Sequence, residues 1–304
     1  MTLTSLEKRC IDDFRNGRTP ELTGADVTSE DSWIDFGLRL LLEAGAVVRD
    51  MRLSPMAGTV HFKPDGSPYT DQERWIEAHI TERLAQFCPG AAFVGEESGG
   101  TLPARGHVLA VDPVDGTWAL INRTETCTTT FAFFKDAEAF LGMIQNPVTG
   151  ELAFAGRKTG ARLVQLSLFG EEDRACSLPL DRVRPGSVLV NLQPQRDAAS
   201  LADDLFAAWR DGGIQMMKLT GGSPSWSLLE AAKGRFVYVN LWASKPSDPF
   251  DLAAGVLLVR GAGGEVSDLD GNPIDPAAHS GPFVAAIDEA ERNNVTDLVR
   301  QALG

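Results

Sequence analysis

The chain has 304 residues, of which 43% are hydrophobic and 23% charged, a composition typical of a globular protein with a substantial core. Its formal net charge of −14 argues against nucleic acid or an anionic membrane as a partner, and an anionic substrate would need bound cations. The cysteines lie far apart, the N-terminus lacks the apolar stretch of a signal peptide and no apolar run could span a bilayer, so a reduced, cytoplasmic protein is expected.

The N-terminal half is predicted to begin with helices. An amphipathic helix is predicted over residues 1–16 and a longer one over 31–51, separated by a polar linker. After a turn-rich segment, Thr70-Asp71-Gln72-Glu73 has the Thr-x-x-Glu pattern of a capping box, so a third helix is expected to begin there. Short apolar runs then predict strands at 91–94, 108–112, 128–134, 139–145 and 151–155.

The C-terminal half is predicted to alternate strands with helices. Ser223-Pro224 and Asp248-Pro249 each place a capping side chain before a proline, which is typical of a helix start. The fold class is therefore layered α/β with mixed sheets, comprising an N-terminal extension (1–30), an N-terminal half (31–186) and a C-terminal half (187–304). Further elements are predicted as strands at 188–191, 215–219, 236–240 and 283–286, a helix near 201–210 and a terminal helix from 288.

The segment from Asp112 to Thr117 (Asp-Pro-Val-Asp-Gly-Thr) is the most informative of the chain. It follows an apolar run, so both carboxylates are expected at the end of a buried strand, where open α/β sheets bind ligands. Two neighbouring carboxylates repel each other unless a cation or proton lies between them, and such hard oxygen ligands suit Mg²⁺ or Mn²⁺. On this segment alone, a surface turn whose aspartates bond their own backbone explains the residues equally well.

More carboxylates fall at the ends of predicted elements. Each has a simple explanation by itself, as a residue of a helix's first turn, a helix N-cap or a solvated turn. Beside the two aspartates of the central segment, they could together supply a phosphate site with more than one metal ion. These residues are Asp71, Glu96, Glu97, Asp248 and Asp251.

The order of these motifs resembles the inositol monophosphatase-like family of Mg²⁺-dependent, lithium-sensitive phosphatases. The resemblance rests on Asp71, Gly-Glu96-Glu97-Ser, the segment from Asp112 to Thr117 and Phe-Asp251-Leu-Ala-Ala-Gly, and it extends from about residue 31 to the C-terminus. It implies an α-β-α-β-α sandwich with mixed and antiparallel sheets, a phosphoric monoester hydrolase and a homodimer. It also implies two or three Mg²⁺ ions, with Mn²⁺ as an alternative.

The resemblance assigns metal-binding roles to five positions. Glu96, Asp112 and the backbone carbonyl of Val114 would hold one ion. Asp112, Asp115 and Asp251 would hold a second, and a third, weaker ion could use Glu96 and water. Asp248 is a second candidate for the last aspartate, although Leu-Ala-Ala-Gly favours Asp251.

The resemblance also assigns catalytic and substrate-binding roles. Thr117 and Asp71 would orient a metal-bound water and help to deprotonate it, and Glu96 would act with them. The backbone N–H groups of Gly116 and Thr117 would bind phosphate oxygens, while Glu97 would act through water or a neighbouring ligand. The helix start at Ser223 either contacts the leaving group or is an ordinary cap. The remaining candidates for substrate contacts are Ser244 and Lys245.

Departures from the inositol phosphatase pattern leave the substrate open. Phe250 stands where a tryptophan is usual, and no acidic residue lies between Tyr238 and Ser247, where these enzymes place a glutamate that binds inositol hydroxyls. The pair Trp118-Ala119 is closer to the histidinol-phosphate phosphatase branch. The expected function is Mg²⁺-dependent hydrolysis of a small polyol, sugar or amino-alcohol phosphate, of the inositol phosphate or histidinol phosphate type.

Two alternatives to this function are kept. The first is a 3′(2′),5′-bisphosphate nucleotidase, in which Lys245 would reach a second anionic group. The second is a non-catalytic relative that binds phosphorylated ligands. Degenerate relatives lose a metal ligand or the threonine, whereas this chain keeps all of these positions: Asp71, Glu96, Asp112, Asp115, Thr117 and Asp251.

Overall fold

The fold combines long helices with two large sheets. The computed structural model describes residues 2–18, 26–53, 60–168, 172–180, 186–191, 203, 205–241 and 247–303. Residues 205–210 are helical, and the remaining helices are α1 (Ser5–Arg15), α2 (Glu30–Leu53), α3 (Asp71–Phe87), α4 (Thr117–Ile121), α5 (Pro224–Ala232), α6 (Pro249–Gly261) and α7 (Glu289–Leu303).

The strands agree with the predicted alternation and add short ones that the sequence does not predict. The unpredicted strands are those over residues 60–62, 68–70, 160–165, 174–177 and 265–268. The strands are β1 (Val60–Phe62), β2 (Pro68–Thr70), β3 (Ala92–Gly95), β4 (His107–Asp115), β5 (Thr128–Lys135), β6 (Glu138–Asn146), β7 (Glu151–Gly156), β8 (Gly160–Gln165), β9 (Arg174–Ser177), β10 (Ser187–Asn191), β11 (Met216–Thr220), β12 (Val237–Asn240), β13 (Glu265–Asp268) and β14 (Phe283–Ala286).

The two large sheets are mixed, as predicted. The seven-stranded sheet has the order β3-β4-β5-β6-β7-β8-β9, and its β3–β4 pair is parallel whereas the other pairs are antiparallel. The five-stranded sheet has the order β11-β10-β12-β14-β13, with β10 parallel to both of its neighbours. The strands β1 and β2 form a separate hairpin, which leads directly into α3.

Three hydrophobic clusters fill the four interfaces between five layers, because the middle cluster covers both sides of α5 and α6. Alternate residues of a strand face opposite sides of its sheet, so Phe131 of β5 packs in the cluster with α2 and α3, while Ala132 packs in the cluster with α5 and α6. In the same way, Tyr238 faces α5 and α6, whereas Val239 packs in the cluster that includes Val299 of α7. The layers therefore follow the order α-β-α-β-α, which confirms the predicted fold class.

The chemical state of the cysteines agrees with the sequence analysis, since Cys10, Cys88, Cys127 and Cys176 are all free thiols. Within the described ranges, the search for a helix with the length and apolarity of a bilayer span finds none. Hydrophobic packing therefore holds the layers together, with no disulfide among these four residues.

The backbones of α6 and β6 approach each other closely at Gly142. A Cβ atom on Gly142 would lie 2.7 Å from the Cα of Ala254, so only glycine fits without a shift of one backbone. We expect Gly142→Ala to lower the free energy of unfolding by about 1–3 kcal/mol, the usual cost of overpacking. Urea denaturation measures this change. The matched control is Gly221→Ala, where a Cβ meets nothing within 4 Å, and equal losses in both variants would contradict the close approach.

Candidate active site

The strand β4 carries the two central aspartates to its carboxyl end. Its pairing with β5 is regular up to Asp112 and then shifts register before Asp115. Pro113 lies in this irregularity, where its missing N–H breaks no ladder bond. Asp112 and Asp115 are only 2% and 4% exposed, so the segment is a buried strand end and not a surface turn.

The turn after β4 depends on Gly116 and leads to Thr117. Gly116 has φ of +93°, and a Cβ there would lie 2.9 Å from the carbonyl oxygen of Thr126, so glycine is required. Thr117 is the first residue of α4. Its hydroxyl lies 3.0 Å from Oε1 of Glu73 and 3.2 Å from the carbonyl oxygen of Val114, and both of these oxygens accept.

The carboxylate that contacts Thr117 is Glu73, whereas the sequence analysis assigned this partnership to Asp71. The predicted capping box is present: the hydroxyl of Thr70 accepts from the Glu73 N–H, and the Glu73 carboxylate accepts from the Thr70 N–H. This turns Glu73 back towards the sheet, where it is fully buried. Asp71 points outward, with its side chain 63% exposed and 2.9 Å from Nε2 of His61.

Glu73 lies in an environment that favours its protonated form. Burial raises its pKa to about 8, against the opposing effect of the hydrogen bond from Thr70. The negative charges of Glu97 and Glu96 add to this rise. A cation bound near these glutamates would therefore lower the pKa of Glu73 and favour its charged form.

The turn that carries Glu96 and Glu97 is held by Glu77, a residue that the sequence analysis did not single out. The backbone N–H groups of Glu97 and Ser98 donate to the two carboxylate oxygens of Glu77, at 2.9 and 2.8 Å. A Cβ on Gly95 would lie 2.5 Å from this carboxyl group, so the turn packs directly on α3. The sequence signal that could have identified Glu77 is its spacing, since it lies four residues after Glu73 on the same helix face.

A lysine contacts both glutamates of this turn. The Nζ atom of Lys63 lies 2.9 Å from Oε1 of Glu96 and 2.6 Å from Oε1 of Glu97. The Glu97 side chain is 2% exposed, and burial raises its pKa although Lys63 opposes the rise. The sequence offered no signal for Lys63, because a lysine in a polar turn is normally a surface residue.

Asp115 is held by the first turn of α5. The backbone N–H of Ser225 donates to Oδ2 of Asp115 at 2.7 Å, the hydroxyl of Ser223 donates to the same atom at 3.1 Å, and the Ser225 hydroxyl also donates to it. Burial nevertheless raises the pKa of Asp115 to about 7. Ser223 occupies the N-cap position, but its side chain serves Asp115 instead of capping the helix.

Asp251 lies in the first turn of α6, and its negative charge acts on Asp112. Asp248 is the N-cap residue of this helix, although its side chain makes no capping hydrogen bond. Burial raises the pKa of Asp112 well above its usual range, and the negative charges of Glu96, Asp115 and Asp251 raise it further. Carboxylates from β4, α6 and the turn after β3 therefore act on one another, and the two from β4 are the buried ones.

These side chains provide the donors of a metal site, although they are not arranged as a finished one. Within the described part of the chain, no three His, Cys, Asp or Glu side chains form a preformed ligand set. Two of the proposed ligands have other partners, since Glu96 is paired with Lys63 and Oδ2 of Asp115 accepts from serines. Their mutual repulsion and their hard oxygen atoms fit a divalent cation, which would stabilise the charged forms.

The expected substrate contacts are only partly described. Ser244 and Lys245 lie outside the described residues. Ser223 is 1% exposed and bound to Asp115, so its hydroxyl faces a carboxylate. At the ends of the parallel strands β10 and β12, the side-chain amides of Asn191 and Asn240 are buried and 3.4 Å apart.

The layered fold and the buried carboxylates at its strand ends are those of a phosphoric monoester hydrolase. The model of the inositol monophosphatase family matches residues 30–302, and the chain belongs to this family. It is 28% identical over 220 residues to a histidinol-phosphatase of Mycobacterium tuberculosis, covering 70% of this chain and 78% of that protein. It is 27% identical over 257 residues to an inositol-1-monophosphatase of Synechocystis sp., covering 80% and 81%.

Solved structures share the fold at lower identity. The extragenic suppressor protein suhB of Bartonella henselae superposes with a TM-score of 0.70 at 20% identity, over 90% of this chain and 98% of its own. An IMPase of Thermotoga maritima gives a TM-score of 0.68, also at 20% identity, over 90% and 99%. These likenesses confirm the layered sandwich implied by the sequence resemblance.

Proposed function

We propose that this phosphatase hydrolyses a small phosphate monoester with the help of Mg²⁺ ions bound by Glu96, Asp112, Asp115, Asp251 and the Val114 carbonyl. The observation that carries the proposal is the burial of Asp112 and Asp115 beside other carboxylates, which raises the pKa of both. A protein that buries several acidic groups together without a counter-charge loses stability, so a bound cation is the simplest reason for the arrangement.

The remaining groups of the site suit hydrolysis by water. Bound divalent ions would lower the pKa of the attacking water and neutralise the phosphoryl oxygens. The backbone N–H groups of Gly116 and Thr117 would bind phosphoryl oxygens. Ser223 and Ser225 hold the Asp115 carboxylate through Oδ2, so Oδ1 is the oxygen that would bind an ion.

We assign the orientation of the attacking water to Thr117 and Glu73. The Thr117 hydroxyl lies 3.0 Å from the Glu73 carboxylate, so Glu73 can accept its proton while Thr117 accepts one from water. The pKa of about 8 for Glu73 falls when a cation neutralises Glu96 and Glu97, because their charges contribute to its rise. The active form would therefore have a charged Glu73.

Two variants distinguish Glu73 from Asp71. Glu73→Gln keeps a carbonyl that can accept from the Thr70 N–H but loses the acceptor for Thr117. It should lower kcat about 10²-fold or more, the usual effect of losing a general base. Asp71→Asn alters an exposed side chain paired with His61, so kcat should stay within about threefold. Steady-state phosphate release measures both, and a larger loss in Asp71→Asn would reverse the assignment.

For the substrate, we favour a phosphate of an amino alcohol or small polyol over inositol phosphate. After β12 ends at Asn240, the sequence contains no carboxylate before Ser247. This segment therefore lacks the strong hydrogen-bond acceptor that a glutamate would offer to inositol hydroxyls. The histidinol-phosphatase of Mycobacterium tuberculosis is among the relatives, which makes histidinol phosphate the first compound to assay.

A phosphate-release panel tests this function. Purified protein is assayed with histidinol phosphate, inositol 1-phosphate and 3′-phosphoadenosine 5′-phosphate, each with Mg²⁺, with Mg²⁺ and Li⁺, and with EDTA. We expect activity with Mg²⁺ on at least one monoester and none with EDTA. Activity that survives EDTA would contradict the metal-assisted mechanism, and a complete lack of hydrolysis with intact ligand binding would favour a non-catalytic relative.

A further inference from the structure

Lys63 is the one positive charge that the hairpin β1–β2 brings to the described carboxylates of the site. It follows β1 directly, and its side chain is 21% exposed although Phe62 next to it is 61% exposed. Its ammonium group is shared between Glu96 and Glu97, at 2.9 and 2.6 Å. The lysine is thus folded into the site instead of extending into solvent.

The hairpin that carries Lys63 is well fixed. The backbone N–H of Lys63 donates to the carbonyl of Ser67, and the N–H of Gly66 donates to the carbonyl of Lys63. The Asp65 carboxylate accepts from both the N–H and the hydroxyl of Ser67, at 3.0 and 2.7 Å. Because β2 ends at Thr70, the N-cap of α3, the hairpin is also continuous with the helix that carries Glu73.

A ring contact connects the same hairpin to α4, the helix that begins at Thr117. The rings of Phe62 and Trp118 lie 6.1 Å apart, between centroids, and Trp118 directly follows Thr117. Both rings are more than half exposed, so the contact does not belong to a core. The position of Lys63 is therefore set by a turn, a strand pair and a ring contact together.

The contact between Lys63 and Glu96 conflicts with a divalent ion at the same carboxylate. Mg²⁺ binds carboxylate oxygens at about 2.0–2.1 Å, which would bring two like charges within a few ångströms of each other if the ammonium group stayed.

We propose that Lys63 competes with a divalent ion for Glu96 and so sets the affinity of the ion that Glu96 holds. This inference rests on the proposed function, because it takes Glu96 as a metal ligand. When an ion binds, the ammonium group gives up Glu96 and keeps Glu97, whose carboxylate is buried and closer to it. Metal binding would then be weaker than the number of carboxylates suggests, and it would be coupled to the position of the hairpin.

The test is a titration of metal-free protein with Mn²⁺ alone, followed by calorimetry, in the wild type and the variants Lys63→Met, Lys63→Gln and Lys63→Arg. Removing a contacting charge should strengthen the weaker Mn²⁺ site roughly tenfold in the first two variants, an order of magnitude that fits a close charge pair near a protein surface. Lys63→Arg keeps the charge and should stay within about threefold of the wild type.

The matched control is Arg74→Met. Arg74 lies on α3 with its guanidinium 4.3 Å from the ring centroid of Tyr69, so this variant removes an equal charge near the site without touching Glu96. Unchanged Mn²⁺ affinity in Lys63→Met and Lys63→Gln, or an equal gain in Arg74→Met, would overturn the competition. If the wild type binds no Mn²⁺, the proposed metal site itself fails, which is a different result from equal affinities.

Discussion

Asp112→Asn is expected to lower kcat/KM by at least about 10³-fold, which corresponds to roughly 4 kcal/mol of lost transition-state stabilisation. Asp112 is assigned to both metal ions, so the variant removes the one carboxylate that the two would share. The fold should survive, because the asparagine carbonyl can still accept from the Val114 N–H, which lies 2.8 Å from Oδ1. The measurement is phosphate release at saturating Mg²⁺.

A matched aspartate on the surface controls for the loss of charge. Asp270 has a side chain that is 86% exposed, and Asp270→Asn should leave kcat/KM within about twofold. Circular dichroism and thermal unfolding would confirm that both variants are folded. An active Asp112→Asn protein, with more than a tenth of wild-type kcat/KM, would place the chemistry elsewhere.

The second large effect concerns the pH dependence of stability in EDTA. Asp112, Asp115 and Glu73 have pKa values raised by burial, the latter two to about 7 and about 8. A group whose pKa is higher in the folded state stabilises the protein below its unfolded pKa, and this contribution is lost as the pH rises through the folded value. The Tm of the metal-free protein should therefore fall between about pH 5 and pH 8.5.

Saturating Mg²⁺ should reverse this trend, because the ion binds the deprotonated carboxylates. At a concentration 100 times Kd, binding contributes about 2.7 kcal/mol, or roughly 4 °C in Tm for a chain of this size. Differential scanning calorimetry at several pH values measures how Tm changes with pH, once in EDTA and once with Mg²⁺. The Asp112→Asn variant should show a smaller fall with pH, and a Tm independent of both pH and Mg²⁺ would contradict the account.

Much of the fold could be predicted because its signals are local. The apolar run before Asp112 predicts a buried strand, and β4 does end at Asp115 with both carboxylates buried. The capping box at Thr70 correctly predicts the start of α3. Short strands such as β1 and β9 depend on their pairing partners, so three or four residues carry too little pattern to predict them.

The comparison of Asp71 with Glu73 shows that a correctly predicted motif does not by itself identify the side chain that contacts Thr117. The capping box itself places the third helical residue back over the N-terminus and leaves the first helical residue facing solvent. The geometry of the capping box therefore predicts that Glu73 is the carboxylate that faces inward. The spacing of Glu77, four residues further on, repeats the same inward face.

Contacts between distant segments are what the sequence could not supply. Ser225 reaches Asp115 across 110 positions, and Lys63 reaches Glu96 across 33. Neither pair has a local pattern, because tertiary packing brings α5 and the hairpin to the end of β4. The same packing explains why Ser223, at a typical capping position, donates to Asp115 instead of its own helix.

The most direct test of the central claim is crystallographic, with Mn²⁺ and inorganic phosphate bound to the protein and anomalous diffraction used to locate the metal. The account predicts anomalous peaks within ligand distance of Asp112, with Glu96 and the Val114 carbonyl on one ion and Asp115 and Asp251 on another, and phosphate beside Thr117. Lys63 should then have left Glu96. Manganese bound only at other carboxylates, with Asp112 still buried without a cation, would contradict the account.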